Sequence, residues 1–330
     1  MRAVRTTPED LPPLELRKLR ELDLAEPTEE GRPAHLAGAS GVVRRGEFVY
    51  VIADDELDMG VFRLSSDEPG EARAVLAGDL PVDGSERKAR KPDLEALTSL
   101  PPFERTPHGG LMGLGSGSDS DGERDRGFFW AFAADGSLAG ESREIDLAPL
   151  YATLRAELGA LNVEGAAILG ERLWLLHRGN QGEAGNVVAE VALTDIAASL
   201  TGDLELDAHE LRDLRRYELG ELDGVPLCFS DATVLLGEVV CFTASAESDK
   251  DGDIRGSVVG TISAEGQVRR LRTIDQRWKV EGLHAAVDTG VVDFVFVCDQ
   301  DDPEVASPLL GGMMPLEEGI ERTSAPTEPS

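Results

Sequence analysis

The sequence predicts an all-β fold, a single β-propeller of four-stranded antiparallel blades. Three observations carry this expectation. Five segments of the chain share one layout, in which two apolar strands joined by a short turn are followed by a polar loop and a third strand. The strand runs, such as EFVYVIA, EVVCFTA and DFVFVC, are short and rich in β-branched and aromatic residues, which favours strand over helix. Most repeats then add a segment of alternating polarity, suited to a half-exposed outer strand. Four antiparallel strands recurring every 50 residues or more, roughly, are the mark of a propeller.

The first repeat opens at Ser40 with SGVVRRGEFVYVIADDELDMGVFRL, and EARAVLAGD is its outer strand. The second opens at Leu94, passes a Gly- and Ser-rich stretch to RGFFWAFA, and ends on SREIDL. The third, from Val163, reads VEGAAILGERLWLLHRGN, with ELRDLRRYEL outermost. The fourth, from Ser230, reads SDATVLLGEVVCFTA, with VRRLRTID outermost. The fifth, VEGLHAAVDTGVVDFVFVCDQD from Val280, has no outer strand of its own. LELRKLRELDL at 14–24 is an orphan strand that completes it, closing the ring and removing two exposed sheet edges. Insertions fall at 98–110, 148–160 and 195–210, where LAPLYATLRAELGA and LTDIAASLTGDL read as helices. The expected layout is an arm at 1–13, a propeller at 14–310 and a disordered tail at 311–330. Five blades are expected, with a sixth, degenerate blade as the alternative.

The 330 residues carry 63 acids against 32 bases, a net charge of −31. Such a surface repels phosphate backbones and anionic lipid, so neither nucleic acid nor membrane is an expected partner; a small molecule is. Cys228, Cys241 and Cys298 form no CxxC pair, and two lie in apolar strands. The start MRAVRTTPEDLPPLEL lacks the apolar run of a signal peptide, and no stretch of 18 apolar residues exists. These features predict a reduced, cytoplasmic, monomeric protein.

In a propeller the first strand of each blade lines the central channel. Its start and the end of the second strand therefore share one face. Glu95, Glu164, Asp231 and Glu281 sit at the start of first strands, with Ser40 in the equivalent place in the first blade. Second strands end on Asp54 and Asp55, Ser116 and Ser118, His177 and Arg178, Ser245 and Glu247, and Asp299, Gln300 and Asp301. Carboxylates converging on one axis raise one another's pKa or recruit a cation. Oxygen donors suit Ca²⁺, with Mg²⁺ as the alternative, and Glu95, Glu164, Asp231, Glu281 and Asp299 are the candidate ligands. The alternatives are that each acid caps strand amides in its own blade, or that the acids do direct acid–base chemistry. Lys91, Arg178 and Lys279 stand beside these acids, to bind a phosphate or carboxylate or to neutralise the ring. His177 is the one histidine expected on this face and the candidate general base.

Weaker motifs add little. GSDSDGERD at 117–125 matches a calcium loop at Asp119, Asp121, Gly122 and Asp125, but Gly117 takes the first ligand position, and a polar turn is the default reading. No GxSxG elbow precedes a helix. Trp130, Trp174 and Trp278 are the candidates for sugar stacking.

KPDLEAL, GSGS, NVEGAAILGERLWLLHRGN and KVEGL…VCDQDD together resemble the phytase-like, esterase-like propeller superfamily over roughly residues 35–310. Within it, the chain is similar to uncharacterised bacterial members carrying a domain of unknown function. The resemblance implies calcium held by Glu95, Glu164, Asp231 and Glu281, and a phosphate ester facing Lys91, Arg178 and Lys279. Three functions stand open: metal-dependent hydrolysis of a phosphate or other ester, glycoside chemistry with two ring carboxylates, and non-catalytic binding of a small ligand or partner protein.

Overall fold

The computed structural model describes residues 3–118, 122–179, 185–202, 211–237, 239–248, 254–275, 278–300 and 302–316. In chain order, β1 (Ala3–Arg5) and β2 (Arg17–Glu21) precede the first full blade, β3 (Ala39–Arg45), β4 (Phe48–Ala53), β5 (Asp58–Arg63) and β6 (Glu71–Ala74). Helix α1 (Gly84–Arg90) leads to the second blade, β7 (Leu94–Leu100), β8 (Gly110–Gly115), β9 (Arg126–Ala131) and β10 (Arg143–Asp146). Helix α2 (Ala148–Leu158) leads to the third, β11 (Val163–Leu169), β12 (Arg172–His177), β13 (Asn186–Ala192) and β14 (Leu211–Glu218), with α3 (Leu193–Thr201) between its last two strands. A short hairpin, β15 (Glu221–Leu222) and β16 (Val225–Pro226), precedes the fourth blade, β17 (Cys228–Leu235), β18 (Val239–Glu247), β19 (Ile254–Ser263) and β20 (Val268–Thr273). The fifth is β21 (Val280–Asp288), β22 (Val291–Cys298) and β23 (Pro308–Pro315), completed by β2.

These are five antiparallel blades, each a meander from the channel outwards. Every inner strand packs on the next, and β21 packs on β3. The ring closes by pairing β2 with β23, in register Arg17↔Gly311 to Glu21↔Pro308. Alternate apolar residues along each strand face the neighbouring blade. The core is accordingly five clusters, one per blade junction; Trp174 and Tyr217 meet Phe229 and Phe242, for example, between the third and fourth blades. Helices α2 and α3 add Leu150, Tyr151, Leu154, Ile196 and Leu200 to the junction of the second and third blades.

Three details depart from the expected layout. Residues 311–315 belong to β23, so the propeller extends beyond 310; residues 317–330 lie outside the described residues. Gly311 and Gly312 read as breakers, but they make room: a Cβ on either would come within about 3 Å of Leu19 or Leu16. The N-terminal arm is also drawn into the sheet, because β1 pairs in parallel with β14 as a fifth strand of the third blade. Helix α1 was not anticipated. Asp83 caps it by accepting from the amides of Ser85 and Glu86, and Lys91 before Pro92 ends it. No helix among the described residues is long and apolar enough to cross a membrane.

Candidate functional site at the channel mouth

Each inner strand begins with a β-bulge. The registers break at Ala39/Gly41, Leu94/Ala96, Val163/Gly165, Phe229/Asp231 and Val280/Gly282. The residue left without a partner is Ser40, Glu95, Glu164, Ser230 or Glu281. A bulge re-aims its extra side chain out of the alternation of the strand. Here it delivers Glu95, Glu164 and Glu281, with Ser40, to one chamber at the mouth. The chamber has a volume of about 180 Å³ and is also lined by Asp54, Lys88, Lys91, Arg178, Glu247, Lys279 and Asp299. A second, outer chamber of about 410 Å³ shares Gly38, Asp54, Lys88, Lys91 and Asp299 with it and is walled also by α1, Asp55 and Asp302.

The bulges correct the alignment of the acids in the fourth blade. Ser230, not Asp231, occupies the bulged position; its hydroxyl donates to Val280 O at 3.2 Å, as Ser40 donates to Leu94 O at 2.5 Å. Asp231 lies one residue further, where the other blades carry Gly41, Ala96, Gly165 and Gly282. Inner strands crowd there: a Cβ on Gly165 would fall 2.7 to 3.0 Å from the backbone of Asp231 and Ala232. Asp231 is fully buried and does not line the chamber; its carboxylate accepts from the amides of Leu283 (2.6 Å) and Ala232 (2.7 Å). It ties the fourth blade to the fifth.

His177 is also placed away from the mouth. It is buried, does not line the chamber, and its Nδ1 lies 3.0 Å from the donating amide of Asn162. Burial pushes its pKa down to about 4, which makes it a weak base, and it has no place on the chamber wall from which to meet a substrate.

The basic residues interleave with the acids. Lys91 bridges Asp54, at a very short distance, and Asp93, at 2.6 Å. Arg178 bridges Glu164 (3.3 Å) and Glu247 (2.6 Å). Lys279 bridges Glu281 (3.4 Å) and Asp299 (3.2 Å). Asn162 donates to Glu164 at 2.6 Å. Sequence reasoning missed Asp93. It has a left-handed backbone (φ 56°), which aspartate tolerates better than most residues, and its position after Pro92 was the available signal. It accepts from Ser116 and from Arg124 at 2.9 Å.

Burial dominates the electrostatics. It pushes Glu164 up to about 7 against the charge of Arg178, with Glu281 and Asp93 adding to the rise. It pushes Asp54 up to about 6 against Lys91. Glu95 faces the chamber from deep within the protein; burial, then the charges of Glu164 and Asp93, hold it well above the usual carboxylate range. Burial also raises Glu281, against Lys279 and Arg178. Asp93 goes the other way: burial would raise it, but Lys91, Ser116 and Arg124 outweigh this and hold it low. The mouth therefore offers proton-holding carboxyls beside fixed cations.

Trp130 and Trp174 are core residues, and Trp278 packs against the junction of the fourth and fifth blades. Among the described residues, no aromatic side chain lines either chamber. Arg126 binds Glu144 and the Ala77 carbonyl, away from the mouth. Asp119, Asp121 and Asp301 lie outside the described residues.

Solved structures with similarity to the chain show low identity. The Myxococcus xanthus glutaminyl cyclase matches over 95% of this chain and 100% of its own, at 12% identity and a TM-score of 0.45. The catalytic domain of the Coprinopsis cinerea GH62 α-L-arabinofuranosidase matches over 92% and 96%, at 9% identity and 0.49. MPT-4, a mannose phosphorylase from Leishmania mexicana solved with phosphate ion, matches over 92% and 91%, at 11% identity and 0.47. No curated protein matches the chain. The profile of the family of unknown function DUF6929 matches residues 35–313, which span all five blades from the first inner strand to β23, and the chain belongs to that family.

Proposed function

We propose that the mouth of the propeller binds a small, strongly polar molecule. The convergence of ionisable side chains on one chamber carries this reading: Asp54, Glu95, Glu164, Glu247, Glu281 and Asp299 line it together with Lys88, Lys91, Arg178 and Lys279. Charged groups of both signs suit an occupant with both donor and acceptor groups. A space of about 180 Å³ is room for a small molecule. The walls offer charge and hydrogen bonds but no stacking platform, which favours a compact polar occupant over a nucleobase or a sugar held by aromatic rings.

A divalent cation is the second reading, and one observation favours it. Carboxylate oxygens of Asp54, Asp93 and Glu95 lie within 4.8 Å of one another. Yet the ammonium of Lys91 already sits on two of these acids, so Ca²⁺ or Mg²⁺ would have to displace it. Metal-dependent ester hydrolysis, as the phytase-like resemblance implies, belongs to this reading and depends on that displacement. Of the ligands first expected, only Glu95 is in this cluster.

Thermal melts separate the readings. Glycerol, glycolate and glycine are added to the wild type and to Glu281→Gln. CaCl₂ is compared with NaCl at equal ionic strength, because a chain of −31 gains stability from any salt. Binding at 100 times the dissociation constant adds about 2.7 kcal/mol. The first reading expects a compound-specific rise in Tm that Glu281→Gln diminishes. A rise specific to Ca²⁺, larger in Lys91→Met, favours the second. With neither, the bulged glutamates are a device of the fold.

A further inference from the structure

The connection from β6 to β7 lies against the mouth and is held there by charge. Among the described residues 77–91, which include α1, Arg87 is the one that is buried. The chain on either side is anchored: Leu76 belongs to the core between the first and second blades, and Pro92 is buried. The strand β8 is buried throughout, and β7 nearly so. An element that buries no apolar side chain gives up little when it lifts, so it opens far below the cost of global unfolding.

Arg87 is the fastening. Its guanidinium donates to Asp55 Oδ2 at 2.7 Å and turns back to the Val82 carbonyl at 2.8 Å. One side chain thus ties the connection to itself and to the loop after β4. Arg32 adds a longer bond to the Pro81 carbonyl, at 3.3 Å. On its far side α1 reaches the fifth blade: a Cβ on Gly84 would stand 3.9 Å from the Cβ of Pro303, in the loop between β22 and β23. Gly84, Ser85, Arg87, Lys88 and Lys91 wall the outer chamber, and Lys88 and Lys91 also the inner one. Gly78, at φ 141°, has a backbone that side chains rarely adopt and is free to turn. Lys91, held by Asp54 and Asp93, fixes the other end.

We propose that residues 78–90 form a lid on the mouth, hinged at Gly78 and Lys91 and latched by Arg87 on Asp55. The lid lifts as a unit while the five blades stay folded, and lifting opens the way to the inner chamber. Hinged closures of this kind turn on a few residues at element ends. An ionic latch suits the role, because one guanidinium–carboxylate pair lets go without exposing core. With the lid down, Lys279 in the inner chamber keeps only 14% of its side chain exposed. The lid goes beyond the binding role, since it governs access whatever the occupant is.

The experiment locks the lid and reads access without a ligand. Gly84→Cys with Pro303→Cys sets the two Cβ atoms within the roughly 3.5–4.5 Å that a disulfide spans. Acetylation of Lys279 by N-hydroxysuccinimidyl acetate is followed by mass spectrometry on the full chain. Lys18, half exposed on β2, is the internal reference. The oxidised variant is expected to acetylate Lys279 about tenfold more slowly than the same protein after reduction, with Lys18 unchanged. Asp55→Asn keeps the shape of the latch and removes its charge. It should speed both Lys279 acetylation and hydrogen exchange in residues 78–90 about tenfold, and leave exchange in β7 and β8 as in the wild type. If locking leaves the Lys279 rate unchanged, if Asp55→Asn loosens β7 and β8 as much as the connection, or if it alters neither rate, α1 is a fixed wall and the inference is overturned. Failure of the disulfide to form overturns it too, because α1 would then not stand against the fifth blade. The melts described above judge the binding role separately, and neither outcome decides the other.

Discussion

Lys91 stands between Asp54 and Asp93 with little access to solvent, and this one contact shows how the mouth is held together. Removing one partner of a buried charge cluster leaves the others uncompensated, at a cost of about 3–5 kcal/mol. Lys91→Ala is therefore expected to destabilise the fold by that order in chemical denaturation, whereas Lys18→Ala, whose pair with Glu21 is exposed, should lie within about 1 kcal/mol of wild type. Glu164 makes a prediction about pH. Its folded pKa is about 7 against 4.5 for the ordinary group, so the folded state keeps a proton that the unfolded state releases. Its contribution is fully present below pH 4.5 and is lost as the pH rises through 7, by about 3 kcal/mol. Glu164→Gln should flatten the fall in stability between pH 5 and 8; an unchanged slope would mean that Glu164 ionises normally. The acids of the second, third and fifth blades were legible in the sequence because a bulged residue recurs at a fixed place in each repeat. Asp231 was misread because matching acid to acid conceals a shift of one residue, and only the strand register distinguishes Ser230 from its neighbour. His177 was misread for a similar reason. It is the last residue of β12, opposite Val163, and its ring meets the Asn162 amide instead of the channel.

At the scale of elements, the strands were legible because period-two alternation and β-branched runs report burial directly. The inner and outer strands of each blade, and the helices α2 and α3, fall where the sequence placed them. Helix α1 was not seen because it spans only 7 residues and offers no apolar stripe, yet it walls the outer chamber and carries Lys88. Its signal was local: an aspartate cap, a glutamate three residues on, and basic residues in the last turn. Ring closure yields the prediction at this scale. Leu14, Leu16, Leu22 and Leu24 are buried around β2, and each contributes about 1.5–3 kcal/mol by burial. Together these approach the whole stability of an ordinary domain. A chain lacking residues 1–24 should lose its cooperative melt and aggregate through the uncovered edge of β23. A truncated chain that stays monomeric and melts within a few degrees of the full chain would show that closure by β2 is dispensable.

At the scale of the whole molecule, an acidic chain closes on an acidic mouth in which Lys91, Arg178 and Lys279 are each held between two acids. The chain carries a net charge of −31, and at the axis four of the five bulges bring Ser40, Glu95, Glu164 and Glu281 from four separate repeats to one chamber. The sequence could announce the repeat and the convergence of acids. It also set Lys91, Arg178 and Lys279 beside those acids, but it could not announce the pairing of Lys91 with Asp54 or of Arg178 with Glu247, because contacts across blades depend on a register fixed only by the closed ring. The central claim is that this mouth holds a small polar ligand. The most direct measurement is a crystal structure after soaking in a mixture of glycerol, glycolate and glycine. The expected result is density for one compound in the inner chamber, within hydrogen-bond distance of the side chains that line it, Glu95, Glu164 and Glu281 among them. Density for these compounds only on the outer surface, with ordered water alone in the chamber at saturating concentration, would contradict it.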